Sequence, residues 1–244
     1  MSSGGNKLNF QLYQDPGYTQ VWGSEMFGTF RTPLMVNLTL AKGASTHGAS
    51  ATLYAQILNG QTTAVAGSYT DNYQNGDTAI TINDRQSGTA PGSCGGSQIN
   101  EYFPFLVSAT VQKNCTVSAN NLTFNAVAAG AATAPGNTTM SIACTVNTPY
   151  TVGLQPLNVA STSGAGTMKG GTGGNTNTVQ YQLYSNSTLS QVWGNTATMG
   201  STGNGVAGSG TGSAQNLSVY AKTTSSTDVT PDTYTDTVQI NVNY

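Results

Sequence analysis

Residues 179–194 read Val-Gln-Tyr-Gln-Leu-Tyr-Ser-Asn-Ser-Thr-Leu-Ser-Gln-Val-Trp-Gly, and residues 8–23 read Leu-Asn-Phe-Gln-Leu-Tyr-Gln-Asp-Pro-Gly-Tyr-Thr-Gln-Val-Trp-Gly. One pattern is written twice. Each copy alternates apolar and polar residues (Phe10 and Leu12, Tyr181 and Leu183), crosses a short polar turn, and stops on Gln-Val-Trp-Gly. A period of two marks a half-buried β-strand. Trp22 and Trp193 are the only tryptophans of the chain, and they fall at the same point of the repeat. Rings of that size are expected to act as core anchors, one per copy.

The repeat extends outward. Leu53-Tyr54-Ala55 matches Val219-Tyr220-Ala221, and Ser68-Tyr69-Thr70-Asp71 matches Thr233-Tyr234-Thr235-Asp236. Both copies run strand, Trp-Gly, variable loop, Tyr strand, Tyr-Thr-Asp turn, final strand, so two homologous modules are expected. The copies differ in length. Residues 107–178 precede the opening strand of the second, whereas residues 1–7 alone precede that of the first. The expected organisation is the back half of a module over 1–83, an exposed linker over 84–105, and a complete module over 106–244. A fragment, or a start at an internal methionine, would explain the short first copy. It would also explain why residues 1–7 lack the apolar run of a signal peptide.

Elsewhere alternation recurs at Val36, Leu38 and Leu40; at Leu53, Ala55 and Ile57; at Ile80 and Ile82; at Val107, Ala109 and Val111; and at Val238, Ile240 and Val242. Helical periodicity is nearly absent. Short alternating runs between Gly, Ser, Asn and Thr turns predict an all-β sandwich or barrel. The apolar stretch Ile99 to Val107 is expected to be a lead-in strand packing on the second module; the alternative is a strand that pairs with a sheet edge elsewhere.

Composition narrows the function. Charged residues make up 7% of the chain, with Lys+Arg 7 against Asp+Glu 9. Nucleic-acid binding needs a dense basic face, so it is excluded as a partner class. Cytoplasmic enzymes carry about a quarter charged residues, and this chain does not resemble them. A neutral Ser/Thr/Asn/Gln/Gly coat suits an extracellular structural protein. One histidine excludes multi-His metal sites, and no cofactor is expected.

Phe105 to Phe124 (Phe-Leu-Val-Ser-Ala-Thr-Val-Gln-Lys-Asn-Cys-Thr-Val-Ser-Ala-Asn-Asn-Leu-Thr-Phe) carries a resemblance. Together with Ile142-Ala-Cys144, Tyr150-Thr-Val-Gly-Leu154, Tyr181-Gln-Leu-Tyr184, Val192-Trp-Gly194 and Tyr234-Thr-Asp236, it resembles the spore coat protein U domain family. That family includes the subunits and tip adhesins of archaic (Csu-type) chaperone–usher pili. The resemblance implies an incomplete immunoglobulin-like antiparallel β-sandwich that lacks its last strand. A periplasmic chaperone, and then the strand of a neighbouring subunit, fills the open groove as an outer-membrane usher assembles the fibre. Main-chain hydrogen bonds and alternate side-chain pockets would hold the added strand. By this resemblance the pairing edge is Val238, Ile240, Val242 and Tyr244.

Two modules resemble a tip adhesin, whose first module binds an abiotic or host surface and whose role is attachment and biofilm formation. In the first copy the loop after Trp-Gly carries Met26, Phe27 and Phe30, a candidate hydrophobic adhesive finger. The alternative is that these side chains fill a core, as Leu34, Met35 and Val36 are expected to do. The family also has a disulfide at positions matching Cys115 and Cys144, which implies an oxidising compartment and secretion through the periplasm to the cell surface. Cys94 is left over.

Two rival functions follow from the same residues. One is a spore-coat or cell-surface matrix protein. The other is a chymotrypsin-like cysteine peptidase, because Gly92-Ser93-Cys94-Gly95-Gly96 resembles the oxyanion-hole stretch of that class and His47 precedes it. A five-residue match in a Gly/Ser-rich linker arises easily by chance, and the chain is read as a non-enzyme. Asp71 and Asp236 are read as turn residues rather than as a carboxylate pair.

Overall fold

The computed structural model of the chain describes residues 1–24, 28–39, 43, 48–74, 76–83, 88, 93, 99 and 101–244. Every regular element among the described residues is a β-strand, and the strands pair antiparallel. The chain divides into two compact units. One is Met1–Gln61 with Gly67–Val111, and the other is Gln112–Tyr244 with Thr62–Ala66.

The first unit contains β1 (Ser2–Ser3), β2 (Asn6–Lys7), β3 (Phe10–Tyr13), β4 (Tyr54–Ile57), β5 (Gly67–Tyr73), β6 (Ala79–Ile80), β7 (Glu101–Tyr102) and β8 (Phe105–Val111). They form sheets in the orders β2-β1-β5-β8, β3-β4 and β6-β7. The second unit contains β9 (Cys115–Ala119), β10 (Gly136–Cys144), β11 (Pro149–Pro156), β12 (Ala165–Gly170), β13 (Thr178–Tyr184), β14 (Val206–Ser209), β15 (Ala214–Thr223), β16 (Tyr234–Thr235) and β17 (Val238–Asn243). A six-stranded sheet, β16-β12-β13-β15-β10-β9, accompanies a three-stranded sheet, β14-β11-β17.

The repeat seen in the sequence is a repeat of hydrogen bonds. Phe10↔Ile57 and Tyr13↔Tyr54 pair β3 with β4 as Tyr181↔Thr223 and Tyr184↔Tyr220 pair β13 with β15. After each strand the chain turns on one carboxylate or amide oxygen. Asp15 Oδ1 accepts from the backbone N–H groups of Thr19 and Gln20 at 3.0 and 2.7 Å. Asn186 Oδ1 accepts from those of Ser190 and Gln191 at 3.1 and 3.0 Å. The residue at the crest of each turn takes the left-handed conformation, with φ 56° at Tyr18 and 55° at Leu189. Each tryptophan N–H then closes on its strand, Trp22 to Leu12 O and Trp193 to Leu183 O, both at 2.9 Å. The anionic form of Asp15 is favoured first by the Gln20 N–H and then by Thr19, which holds its carboxyl below the usual range.

In the second unit both sheets feed one core. Met140 and Ile142 of β10, Tyr181 and Leu183 of β13, and Val219 and Ala221 of β15 meet Tyr150, Val152 and Leu154 of β11 around Trp193. Two sheets sharing the core between their inner faces make a β-sandwich. Trp193 is 1% exposed, and its indole N–H donates to Val152 O at 2.9 Å, so the buried polar end is satisfied. Small residues make room for rings. Gly166 lies directly across from Tyr181, and Gly208 across from Tyr150. A Cβ on either glycine would sit within 2.4 Å of the facing tyrosine ring. Part of the high glycine content is therefore berth space for tyrosines, not loop flexibility.

Several expectations are corrected. No strand forms over residues 33–39, and Val36 and Leu38 are exposed there; alternation without a ladder partner does not make a strand. Leu34 is half-buried, and Met35 and Val36 do not fill a core. Tyr69, Thr70 and Asp71 lie within β5, not in a turn. The unit division also differs from boundaries at 83 and 106. Glu101–Val111 falls in the first unit because β8 pairs with β5 along its whole length, from Gly67↔Val111 to Tyr73↔Phe105. The stretch ending at Val107 is therefore not a lead-in strand of the second module; over Phe105–Val107 its backbone pairs with the edge of β5, as the alternative reading had it. Trp22, unlike Trp193, is only half-buried. It stacks on Phe103 and Phe105 at centroid distances of 5.9 and 6.0 Å.

Candidate functional site

The second unit ends on β17. Its six residues pair with β11, from Pro156↔Val238 to Thr151↔Asn243. Its other flank carries no strand among the described residues. Val238, Ile240 and Val242 point to the core but are only partly buried, and Tyr244 is exposed. The strand is held at its end by Asn243, whose Nδ2 donates to Ala197 O at 3.2 Å and to Thr151 Oγ1 at 3.3 Å. An unpaired row of backbone N–H and C=O groups beside half-covered apolar side chains is a template for strand addition.

The six-stranded sheet ends in a similar way on β9. Val117 pairs directly with Ile142, so the two share the inner face. Ile142 is fully buried, yet Val117 is 41% exposed. The core is not closed over this end of the sheet either. Cys115 and Cys144 face each other at one end of the same ladder, two pairs from Val117, and are joined in a disulfide.

At the entry to β17 the chain passes from one sheet to the other through Asp236. Its carboxylate accepts from the Asn158 N–H at 3.0 Å, the Thr237 N–H at 2.8 Å and the Tyr181 hydroxyl at 2.9 Å. Burial, and then the hydrogen bond and charge of Asp236, push the Tyr181 phenol well above its ordinary value. Nearby, Asp232 accepts from Asn175 Nδ2, from the N–H and hydroxyl of Thr172, and from the Thr233 N–H. These bonds, the Asn175 amide first, hold its carboxyl well below the usual range. Both carboxylates act as structural acceptors, Asp236 tying Asn158 and Tyr181 to the start of β17 and Asp232 tying Thr172 and Asn175 to Thr233.

The loop after the first Trp-Gly is closed at its base by two backbone bonds. Gly23 N–H donates to Thr32 O at 2.9 Å and Ser24 N–H to Phe30 O at 3.1 Å. Phe30 stands 50% exposed at that base. Met26 and Phe27, the rest of the candidate finger, lie outside the described residues, as do Cys94 and His47 of the peptidase alternative. The corresponding loop of the second unit carries a residue that sequence reading passed over. Thr198 and Ser201 pair by two backbone bonds and lift Met199 to 74% exposure. A single methionine in a Gly/Ser/Thr stretch gave no periodic signal.

The Spore Coat Protein U domain model matches residues 1–75 and 101–241. No curated protein matches the chain in sequence. Among solved structures, the chain is similar to one in the crystal structure of the CsuC–CsuE chaperone–tip adhesion subunit pre-assembly complex, from the archaic chaperone–usher Csu pili of Acinetobacter baumannii. The TM-score is 0.55 at 19% identity, covering 100% of this chain and 79% of that one. At that identity the likeness is one of fold. With the family model matching most of its length, the chain belongs to the Spore Coat Protein U domain family.

Proposed function

We propose that the chain is a secreted structural subunit of a chaperone–usher pilus, assembled by strand addition at β17. The observation that carries this is the one-sided pairing of β17, with Val238, Ile240 and Val242 half-covered along a bare flank. A periplasmic chaperone shields that flank first, and the strand of a neighbouring subunit, delivered at the outer-membrane usher, replaces it. Backbone bonds supply the strength and the half-filled positions supply the specificity. Without a chaperone the edge is a site for aggregation. Co-expression with a chaperone–usher periplasmic chaperone is expected to yield the two proteins as a complex. Ile240→Asp puts a charge in the groove and abolishes co-purification while an independent fold signal persists. Equal recovery of the variant complex would remove this assignment in favour of a coat or matrix protein.

The same chain is the tip adhesin of the fibre. The first module meets abiotic or host surfaces through the loop over 24–31, and this attachment supports biofilm formation. What supports this is the pinned base of the loop, with Phe30 displayed rather than packed. An exposed aromatic on a nearly uncharged surface is a contact element. Phe27→Ser combined with Phe30→Ser is expected to cut adhesion to plastic at least several-fold with pilus yield unchanged. Adhesion at the parental level with intact pili would dispose of the finger.

A further inference from the structure

Asn-Gly occurs three times in the chain, at 59–60, 75–76 and 204–205. The pair has a chemistry of its own. Glycine carries no side chain to shield its backbone nitrogen, and its backbone is freer than any other to turn. That nitrogen can therefore attack the side-chain carbonyl of the asparagine before it. Asn75 lies outside the described residues. The other two pairs sit in opposite surroundings.

At Asn204-Gly205 both reacting groups are held. Asn204 is half-buried. Its Oδ1 accepts from the N–H and the hydroxyl of Thr196, and its Nδ2 donates to Thr162 O, each at 2.9 Å. The Gly205 N–H donates to Thr202 O at 2.8 Å. A Cβ on Gly205 would lie 2.5 Å from Val152 O, so the chain has no room to turn there. Asn59-Gly60 crosses the turn after β4, and both residues are exposed. Neither the Asn59 amide nor the Gly60 N–H makes a hydrogen bond among the described residues. Gly60 has φ 80° and open space where a Cβ would stand. Only the ends of this turn are fixed. The Leu58 N–H donates to Asn9 O at 3.1 Å. The Gln61 amide brackets the same backbone, accepting from the Asn9 N–H at 2.5 Å and donating to Asn9 O at 2.8 Å.

We propose that Asn59 is a self-modification site, converting to aspartate and isoaspartate as the folded protein ages, while the fold protects Asn204. The Gly60 nitrogen gives up its proton and attacks Asn59 Cγ. The N–Cγ bond forms, the Cγ–Nδ2 bond breaks, and Nδ2 leaves as ammonia. Solvent water then opens the five-membered imide. Water entering at Cγ gives aspartate; water entering at the backbone carbonyl gives isoaspartate, whose chain runs through Cβ and Cγ. The sum is amide plus water to carboxylic acid plus ammonia, with nothing oxidised or reduced. Either product is ionised at neutral pH. Isoaspartate also adds one carbon to the backbone between Leu58 and Gly60, so Leu58 and Gln61 no longer both hold Asn9. Conversion therefore loosens the open end of the β3–β4 pair. Nothing in this chemistry depends on the assembly role proposed above.

The test ages the full chain at neutral and mildly alkaline pH, folded and in urea. Peptide mass mapping reads the exchange of NH2 for OH at each site, and an isoaspartyl methyltransferase with a labelled methyl donor counts isoaspartate. In the folded chain Asn59 is expected to convert at least several-fold faster than Asn204, and faster still as the pH rises, because the attacking nitrogen must lose its proton. In urea the two rates are expected to converge. The amides of Asn9 and Leu58 are expected to lose hydrogen-exchange protection in step with isoaspartate. Asn59→Gln, whose longer side chain disfavours the ring, is expected to lose the signal at that position. Equal conversion of Asn59 and Asn204 in the folded chain, or a ratio that urea leaves unchanged, would overturn the proposal, and neither result depends on a variant folding. Conversion with full protection retained at Asn9 and Leu58 would overturn the loosening of the β3–β4 pair.

Discussion

Trp22 and Trp193 share a sequence context and a backbone bond, yet only Trp193 is a core residue. The difference is what lies over the ring: β11 with its Val152 carbonyl in one case, and Phe103 and Phe105 in the other. Tyr181 shows how a single side chain ties the two sheets at the switch point. Its hydroxyl donates to Asp236 just before β17 begins, and its ring lies over Gly166. The folded chain favours the neutral phenol, so its pKa lies above the unfolded value of about 10. The resulting stability is fully present below about pH 10 and is lost as the pH rises beyond it. Urea unfolding between neutral and strongly alkaline pH is therefore expected to show a midpoint that falls above about pH 10. Tyr181→Phe should flatten that fall and cost about 1 kcal/mol at neutral pH for the missing hydrogen bond. An unchanged alkaline slope in the variant would contradict the role given to this phenol.

Individual strands were legible to different degrees. β3 and β13 were plain because alternation, a turn with its Asx residue and a terminal tryptophan all coincide there. β17 was plain for the same reason of alternation. Residues 36–40 alternate as well, but no ladder partner among the described residues reaches residues 33–39, and pairing rather than propensity makes a strand. For β8 the strand could be read but its partner could not. Choice of partner is non-local, and the three residues 112–114 between β8 and β9 allow either direction. The disulfide followed from family resemblance, and its place is now physical: it pins β9 to β10 at one end of their ladder, two pairs from the exposed Val117. Closing a loop with a sequence separation of 29 contributes about 3 kcal/mol in the chain-entropy account. Cys115→Ser with Cys144→Ser should lower the unfolding free energy of the second unit by about 3 kcal/mol, with a lower urea midpoint, and leave the first unit unaffected. An unmoved midpoint would show that β9 needs no tether.

At the scale of the molecule, the chain reads as one β-module used twice, and among the described residues the last strand of the second copy is paired on one side alone. The sequence announced the repeat and the all-β class through spacing alone. It could not announce which flank is bare, because a bare flank is a property of pairing and leaves no residue pattern of its own. The Gly-rich, nearly uncharged composition suits such a part. Small residues let tyrosine rings lie flat across strands, and a neutral coat leaves backbone edges as the strongest features available for recognition.

The most direct test is residue-resolved hydrogen exchange along β17 in the free chain. In an antiparallel edge strand, successive N–H groups point alternately to the partner and away from it. Alternate amides over Val238–Asn243 are expected to be protected by β11, while those between exchange rapidly and become protected only when a strand or chaperone binds. Uniform slow exchange along the whole of β17 in the free chain would mean that the flank is already occupied, and the account of an edge built to be completed by another chain would fail.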